Sequence, residues 1–302
     1  MAVITRSNHP DALWPGVKVW FGKTYQGLPR QWGEIFDMDT SDKAYEYLIE
    51  TTGFGLAPVK AEGQSISYDS DGQGYKTTLT HVVTGLGYIV TREELEDNQY
   101  AAVSKTRSKS LAFSMRQTQE VIHANVLNRA FSTSYPIGDG AALLSASHPT
   151  RSGNQSNLIA VAADLSEASL ESLLVQIANA QNNRGLRIGL RGEKLIVPTA
   201  EMFNAERILK SQLRTGTANN DINAMRSMGL LPGGCAVNNY LTDTDAFFIK
   251  TNAPNGMVSY WRRQPGLEQD NDFDTENAKA KSTQRFVAGT GDWRSMYGSA
   301  GA

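Results

Sequence analysis

The chain has 302 residues, 40% hydrophobic and 20% charged, an ordinary globular composition with apolar material for a sizeable core. Lysine and arginine total 29 against 31 acidic residues, so the positive excess by which proteins grip nucleic-acid phosphates is missing. The single cysteine, Cys235, excludes an internal disulfide and a thiolate metal cage. No apolar run reaches the about 18 residues of a membrane span, and the N-terminal stretch lacks the apolar core of a secretory signal, so a protein made in a reducing cytoplasm is expected.

Residues 1 to 40 show little periodicity but are rich in rings, among them Trp14, Trp20, Phe21, Tyr25, Trp32 and Phe36. Such a segment suits an arm that packs on the core or docks on another subunit. Ser41 is placed to cap a short helix reaching Thr51, with Asp42 near its positive end. From Val59 to Val90 the pattern is that of strands. Ile66 and Tyr68 alternate before the polar, glycine-containing run 69–74, and Tyr75, Thr77, Leu79 and His81 alternate after it, which predicts a long β-hairpin. It carries too few bulky apolar residues to bury both faces, so a neighbouring subunit is expected to support it and the tip 69–74 to find little within its own chain.

Thr91 and Glu94 form a capping box, and no proline or glycine follows until Pro136. A helix over 92–131 would be roughly 60 Å long, with Leu111, Met115, Thr118, Ile122 and Val126 in one semi-apolar stripe. Beyond Pro136, Gly138 and Gly140, a helix starts at Asp164 or Ser166 and turns Leu170, Leu173, Leu174, Ile177, Ala178 and Gln181 to one side. Residues 195–197 read as a buried strand, Thr199 as the cap of a helix to Gln212, and the stretch from Gly216 to Gly234 as polar loop. Short strands are expected at 235–241, 246–250, 257–262 and 283–288, so the fold class is α+β.

Nothing in the chain spells a chemical centre. His9, His81, His123 and His148 form no HExxH pair; His123 is expected part-exposed on the long helix, His81 alternates within a strand, and His148 has only the loop context of a base. No nucleophile elbow, phosphate loop or dinucleotide fingerprint can be written through the glycines, and Cys235 reads as a packed thiol. Asp270, Asp272 and Asp274 open like a calcium loop, but Thr275 stands where glycine is required and Lys281 where the bidentate glutamate belongs. A solvated acidic face is the simpler reading, or one salt-bridged to basic residues such as Arg262 and Arg263. No catalytic, metal or cofactor site is expected.

An aromatic arm, a weakly supported ribbon, one very long helix and an α/β region follow one another in an order that resembles tailed-phage major capsid proteins of the Hong Kong ninety-seven fold. The strings LIVPTAEMF (195–203), YWRRQP (260–265), QDNDFDTEN (269–277) and GDWRSMYGS (291–299) resemble those of the Mu-like major head subunit family. The resemblance implies an N-terminal arm and short helix over 1–56, an extended loop over 57–90, a peripheral domain with the spine helix over 91–154, an axial domain over 155–256 and a return to the peripheral domain over 257–302. It implies a non-enzymatic subunit without cofactor that assembles as pentamers and hexamers into an icosahedral shell around double-stranded DNA. Its expected partners are further copies of itself, a scaffolding protein, a portal, a decoration protein and the packaged DNA, with no membrane. Candidate assembly contacts are Trp20 and Phe21 in the arm, Asp69, Asp71, Gly72, Tyr75 and Lys76 in the ribbon, and Arg262, Arg263, Asp292, Trp293 and Arg294 near the C-terminus. An encapsulin-like compartment and an α/β hydrolase-like enzyme using His148 or Cys235 are the competing readings.

Overall fold

The computed structural model describes residues 14–91, 93, 94, 100–214, 221–272 and 277–302. The first helix, α1 (Trp14–Gly27), lies where the sequence suggested an aperiodic arm. Val17 and Phe21 stand one helical turn apart and, with Trp20 and Tyr25 beside them, form a stripe that the scattered rings disguise. Ser41 caps no helix. After β1 (Asp37–Thr40) the chain forms a strand, β2 (Tyr45–Thr51), because its residues alternate with period two and leave Tyr45, Tyr47 and Ile49 exposed on one face. The Ser41 hydroxyl instead hydrogen-bonds the Glu46 side chain.

The expected hairpin is also rearranged. β3 (Gln73–Thr80) pairs antiparallel with β2, from Tyr45 opposite Thr80 to Thr51 opposite Gln73, and not with residues 66–68. Ile66 and Tyr68 lie in an exposed stretch without regular structure. The next strand, β4 (Val82–Val90), leaves this ribbon for a larger sheet. The polar run 69–74 is a genuine turn signal, but β2 offers a longer apolar-aromatic partner than 66–68 does.

The long helix α2 (Tyr100–Asn128) has 29 residues, about 43 Å. The Thr91 hydroxyl accepts the Glu94 N–H at 3.3 Å, as a capping residue should; residues 92 and 95–99 of the expected helix lie outside the described residues. Of the predicted stripe, Leu111 and Met115 are buried and Thr118, Ile122 and Val126 partly so. The face that meets the rest of the molecule continues through Arg116, Gln119, Glu120 and His123, all buried, and a hydropathy pattern passes over it.

A small hairpin, β5 (His148–Thr150) with β6 (Gly153–Gln155), precedes α3 (Glu167–Ala178). Of the two expected starts it is Ser166 that caps α3, in a reciprocal box with Ser169, and Leu170, Leu173, Leu174 and Ile177 are buried; Ala178 is exposed and Gln181 half-buried. β7 (Gly192–Pro198) contains the expected 195–197, all three fully buried. Thr199 does not cap the following α4 (Met202–Lys210), since its hydroxyl faces the Asn239 side chain at 3.2 Å across a 3-10 turn. A helix that the polar composition conceals, α5 (Ala224–Met228), is capped by Asn223.

Strands β8 (Cys235–Asn238), β9 (Phe247–Thr251), β10 (Met257–Asn271), β11 (Ala278–Thr290) and β12 (Met296–Ser299) complete two sheets, ordered β12-β9-β7-β8 and β1-β10-β11-β4. β10 and β11 run far beyond their predicted cores because β11 turns small or polar residues inward, Ala278, Ala280, Ser282 and Gln284, and these carry no apolar signal. One core gathers α3, β7, β9 and β12 around Leu173, Leu195, Phe247 and Tyr297; a second joins the two sheets through Trp32, Leu127, Ile196, Phe248 and Phe286. A third seats α1 on α2 and the second sheet through Val17, Phe21, Leu111 and Ala280.

Candidate assembly surfaces

The chain between β2 and β3 presents apolar side chains to solvent. Phe54, Leu56, Ile66 and Tyr68 are 61, 81, 66 and 93% exposed, and Val59 is wholly so. A folded chain gains nothing by displaying such residues unless a partner covers them. The β2–β3 ribbon continues this face, with Tyr45 and Tyr47 in ring contact and the Lys76 ammonium 3.4 Å from the Tyr47 ring centroid.

The run 69–74, expected to find little within its own chain, is instead, together with residues 75–77, the root that anchors this extension. Asp69 accepts from the Gly55 N–H at 2.7 Å and from Arg184 at 2.8 Å, and Asp71 accepts from the Thr52 hydroxyl and the Gly53 N–H. Backbone donors, from Gly55 and Ser70 to Asp69 and from Gly72 to Asp71, hold both carboxyls below the usual range. The Gly72 N–H also reaches the Thr52 hydroxyl, and the Tyr75 hydroxyl donates to the Pro149 carbonyl at 2.5 Å. Gly138 donates to the Thr77 hydroxyl, and a Cβ there would stand 2.4 Å from it, so only glycine lets the loop approach.

Behind the root lies a buried ionic network. The Arg294 guanidinium reaches Glu50 of β2 at 3.0 Å, Asp292 at 3.3 Å and the Gln181 carbonyl at 2.8 Å. Trp293 stacks on His148 with ring centroids 4.3 Å apart. Of the expected contact residues, Phe21, Trp293 and Arg294 are buried within their own chain. Asp292 caps a 3-10 turn, and Trp20 is half-buried beside Lys105. Lys76, Arg262 and Arg263 remain exposed.

The residues that an enzyme reading would use are packed into the fold, His148 fully and Cys235 partly. His148 is fully buried, its Nδ1 2.6 Å from Asp139 and its Nε2 3.0 Å from Asn157. Burial raises the Cys235 thiol to about 11, and Glu206 and Glu34 add to the shift. His123 is wholly buried, not part-exposed: it stacks between Trp32 and Phe286, meets the Gln119 carbonyl at 2.7 Å and Ser259 at 2.8 Å, and burial lowers its pKa to about 4. The acidic run pairs with lysines of β11, Glu268 with Lys281 and Asp272 with Lys279, not with Arg262 and Arg263; residues 273–276 lie outside the described residues. Among the described residues no three His, Cys, Asp or Glu side chains converge on a metal position, and no helix is long and apolar enough to cross a membrane.

The chain is similar in structure to several shell-forming proteins. It overlays the capsid of an empty GTA particle with a TM-score of 0.57 at 10% identity, covering 90% of each chain. It overlays a virus-like particle protein from Pyrococcus furiosus with a TM-score of 0.54 at 10% identity, over 95% of this chain and 98% of the other. A third likeness, to Mycobacterium phage Adephagia, has a TM-score of 0.54 at 12% identity and covers 96% and 92%. At such identities these overlays establish the fold, the α+β architecture of phage capsid subunits. No curated protein matches the sequence. The model of the phage capsid protein family matches residues 75–299, from the foot of the ribbon to the last strand. The chain belongs to the phage capsid protein family and is a major capsid protein, a subunit of the shell.

Proposed function

We propose that the chain closes an icosahedral shell as pentamers and hexamers around the double-stranded DNA of a tailed phage, as a member of the Mu-like major head subunit group. The observation that carries this reading is the extension 53–68. Its root is bonded into its own chain while its apolar side chains, Val59 and Tyr68 above all, face solvent. A rigidly rooted extension with an uncovered tip is built to lie on a neighbour. In this reading α1 and the residues before it form the arm, α2 with β4, β10 and β11 the peripheral domain, and α3 to β9 most of the axial domain.

The near-neutral charge lets many copies approach without mutual repulsion and leaves the DNA enclosed, not read. A separate scaffolding protein, a portal and a decoration protein would complete the head, with synthesis in the host cytoplasm. The test is negative-stain electron microscopy of the purified chain with sedimentation velocity. Closed particles or free pentamers and hexamers are the expected result. A monomer that persists with scaffold or a crowding agent present would overturn the reading.

A further inference from the structure

Strand β4 ends its sheet. β11 pairs with it without interruption, from Val82 opposite Phe286 to Val90 opposite Ala278, and no strand among the described residues lies on its other side. From Val82 to Gly87, the backbone groups that β11 does not use have no hydrogen-bond partner among the described residues. Soluble proteins guard such an edge with charge, proline, a bulge or a very short strand. β4 has none of these guards. Its nine residues, VVTGLGYIV, include no charge and no proline, and its ladder with β11 has no bulge. Val82, Val83, Leu86 and Ile89 are 51, 56, 50 and 59% exposed, so apolar side chains flank the open edge on both faces.

The extension holds a segment with the matching deficiency. In Gln64-Ser65-Ile66-Ser67-Tyr68 the apolar residues alternate with serine, the period-two pattern from which a strand is expected at this place. No strand of its own chain takes it, and all five residues are exposed. Residues 65–68 make no hydrogen bond with any described residue, and the segment carries no charge to resist an apolar edge. Within one copy the two stand apart. The eight residues of β3, about 26 Å at strand spacing, lie between the root of the extension and β4. The bonds of Asp69 to Gly55 and Arg184 hold the extension at the far end of that strand.

We infer that residues 64–68 of one copy add as a strand to the free edge of β4 in a second copy. The inference rests on the capsid reading and names both the surface that receives the extension and the manner of contact. Strand addition satisfies backbone groups that neither partner can pair alone, and the alternating side chains fix the face. Ile66 and Tyr68 then share one face of the enlarged sheet, where they cover the apolar side chains of β4 that point the same way.

The test uses full-length chains followed by sedimentation velocity and electron microscopy, with circular dichroism to establish that each is folded. Ser67→Pro removes a backbone donor but keeps Ile66 and Tyr68, and should reduce assembled material roughly tenfold or more; Ser67→Ala should not. Cysteine pairs give a second, direct measurement. In a Cys235→Ala background, Ile66→Cys is combined in turn with Val82→Cys, Val83→Cys, Leu86→Cys or Ile89→Cys, and assembled material is oxidised. Disulfides between copies should form on one face of β4 only, with Val82 and Leu86 or with Val83 and Ile89, because paired strands keep their faces. Ser67→Pro chains that assemble like the unmodified chain, or disulfides that form on both faces or on neither, would overturn the inference. Were shells lost on replacing Val59 and Tyr68 by serine but kept in Ser67→Pro, the extension would still meet a neighbour, though not as a strand. An unmodified chain that never assembles would bring down the capsid reading and this contact with it, so the two failures are distinguishable.

Discussion

The body around α3, β7, β9 and β12 and the extension between β2 and β3 put the same kinds of residue to opposite use. In the body Leu173, Leu195, Phe247 and Tyr297 are removed from solvent and hold one another. In the extension Phe54, Val59, Ile66 and Tyr68 are displayed. On the proposed reading the first arrangement stabilises the subunit and the second serves contact with a neighbour. Stability and assembly are thus separated along the chain, with the junction at the Arg294–Glu50–Asp292 network and the Asp69–Arg184 pair.

That separation can be broken from the body side first. Phe247→Ala removes a fully buried ring from the largest core and should cost about 3–5 kcal/mol, read as a lower denaturant midpoint. At the junction, Arg294→Met leaves Glu50 and Asp292 without their cation and should cost roughly 3 kcal/mol, with greater protease access to β2 and β3. If Arg294→Met proved neutral, the junction would be a contact without consequence and the ribbon would be held by its strand pairing alone.

Acid sharpens the comparison further. His123 is held neutral by burial, with a pKa of about 4 against an ordinary 6.5. Its contribution is whole above pH 6.5 and is lost as the pH falls through 4, at most about 3 kcal/mol. His81, also lowered, acts in the same direction. Unfolding midpoints of the unmodified chain should therefore fall over that interval, and those of His123→Gln should fall less steeply. An equal slope in both would place acid sensitivity elsewhere.

The smallest effect on the subunit is expected in the extension. Replacing Val59 and Tyr68 by serine should move the unfolding free energy by no more than about 0.5 kcal/mol while suppressing closed particles. Deleting 69–74 is a different experiment: it removes the Asp69 and Asp71 anchors and the first residues of β3, and the ribbon should come loose. A serine variant that unfolded readily would show that the tip belongs to the fold after all.

Local pattern alone located α3, with Ser166 as one of two candidate starts, the strand at 195–197, the Thr91 hydroxyl as acceptor for the Glu94 N–H, and the α+β class. These follow from propensity, capping and one-sided burial, which act over a few residues. Pairing was another matter. That β3 joins β2 and β4 joins β11 depends on which distant strand offers the better partner, and two short alternating runs look alike until the sheet exists. The buried polar face of α2 was hidden for a related reason. Arg116, Gln119, Glu120 and His123 read as surface by composition, and only packing supplies the Tyr25 and Trp32 backbones, Gln284 and Ser259 that let them be buried. Likewise a sequence shows that Arg263 and Arg285 are charged; only the β10–β11 register sets them directly opposite each other, because register is a property of two strands and not of one.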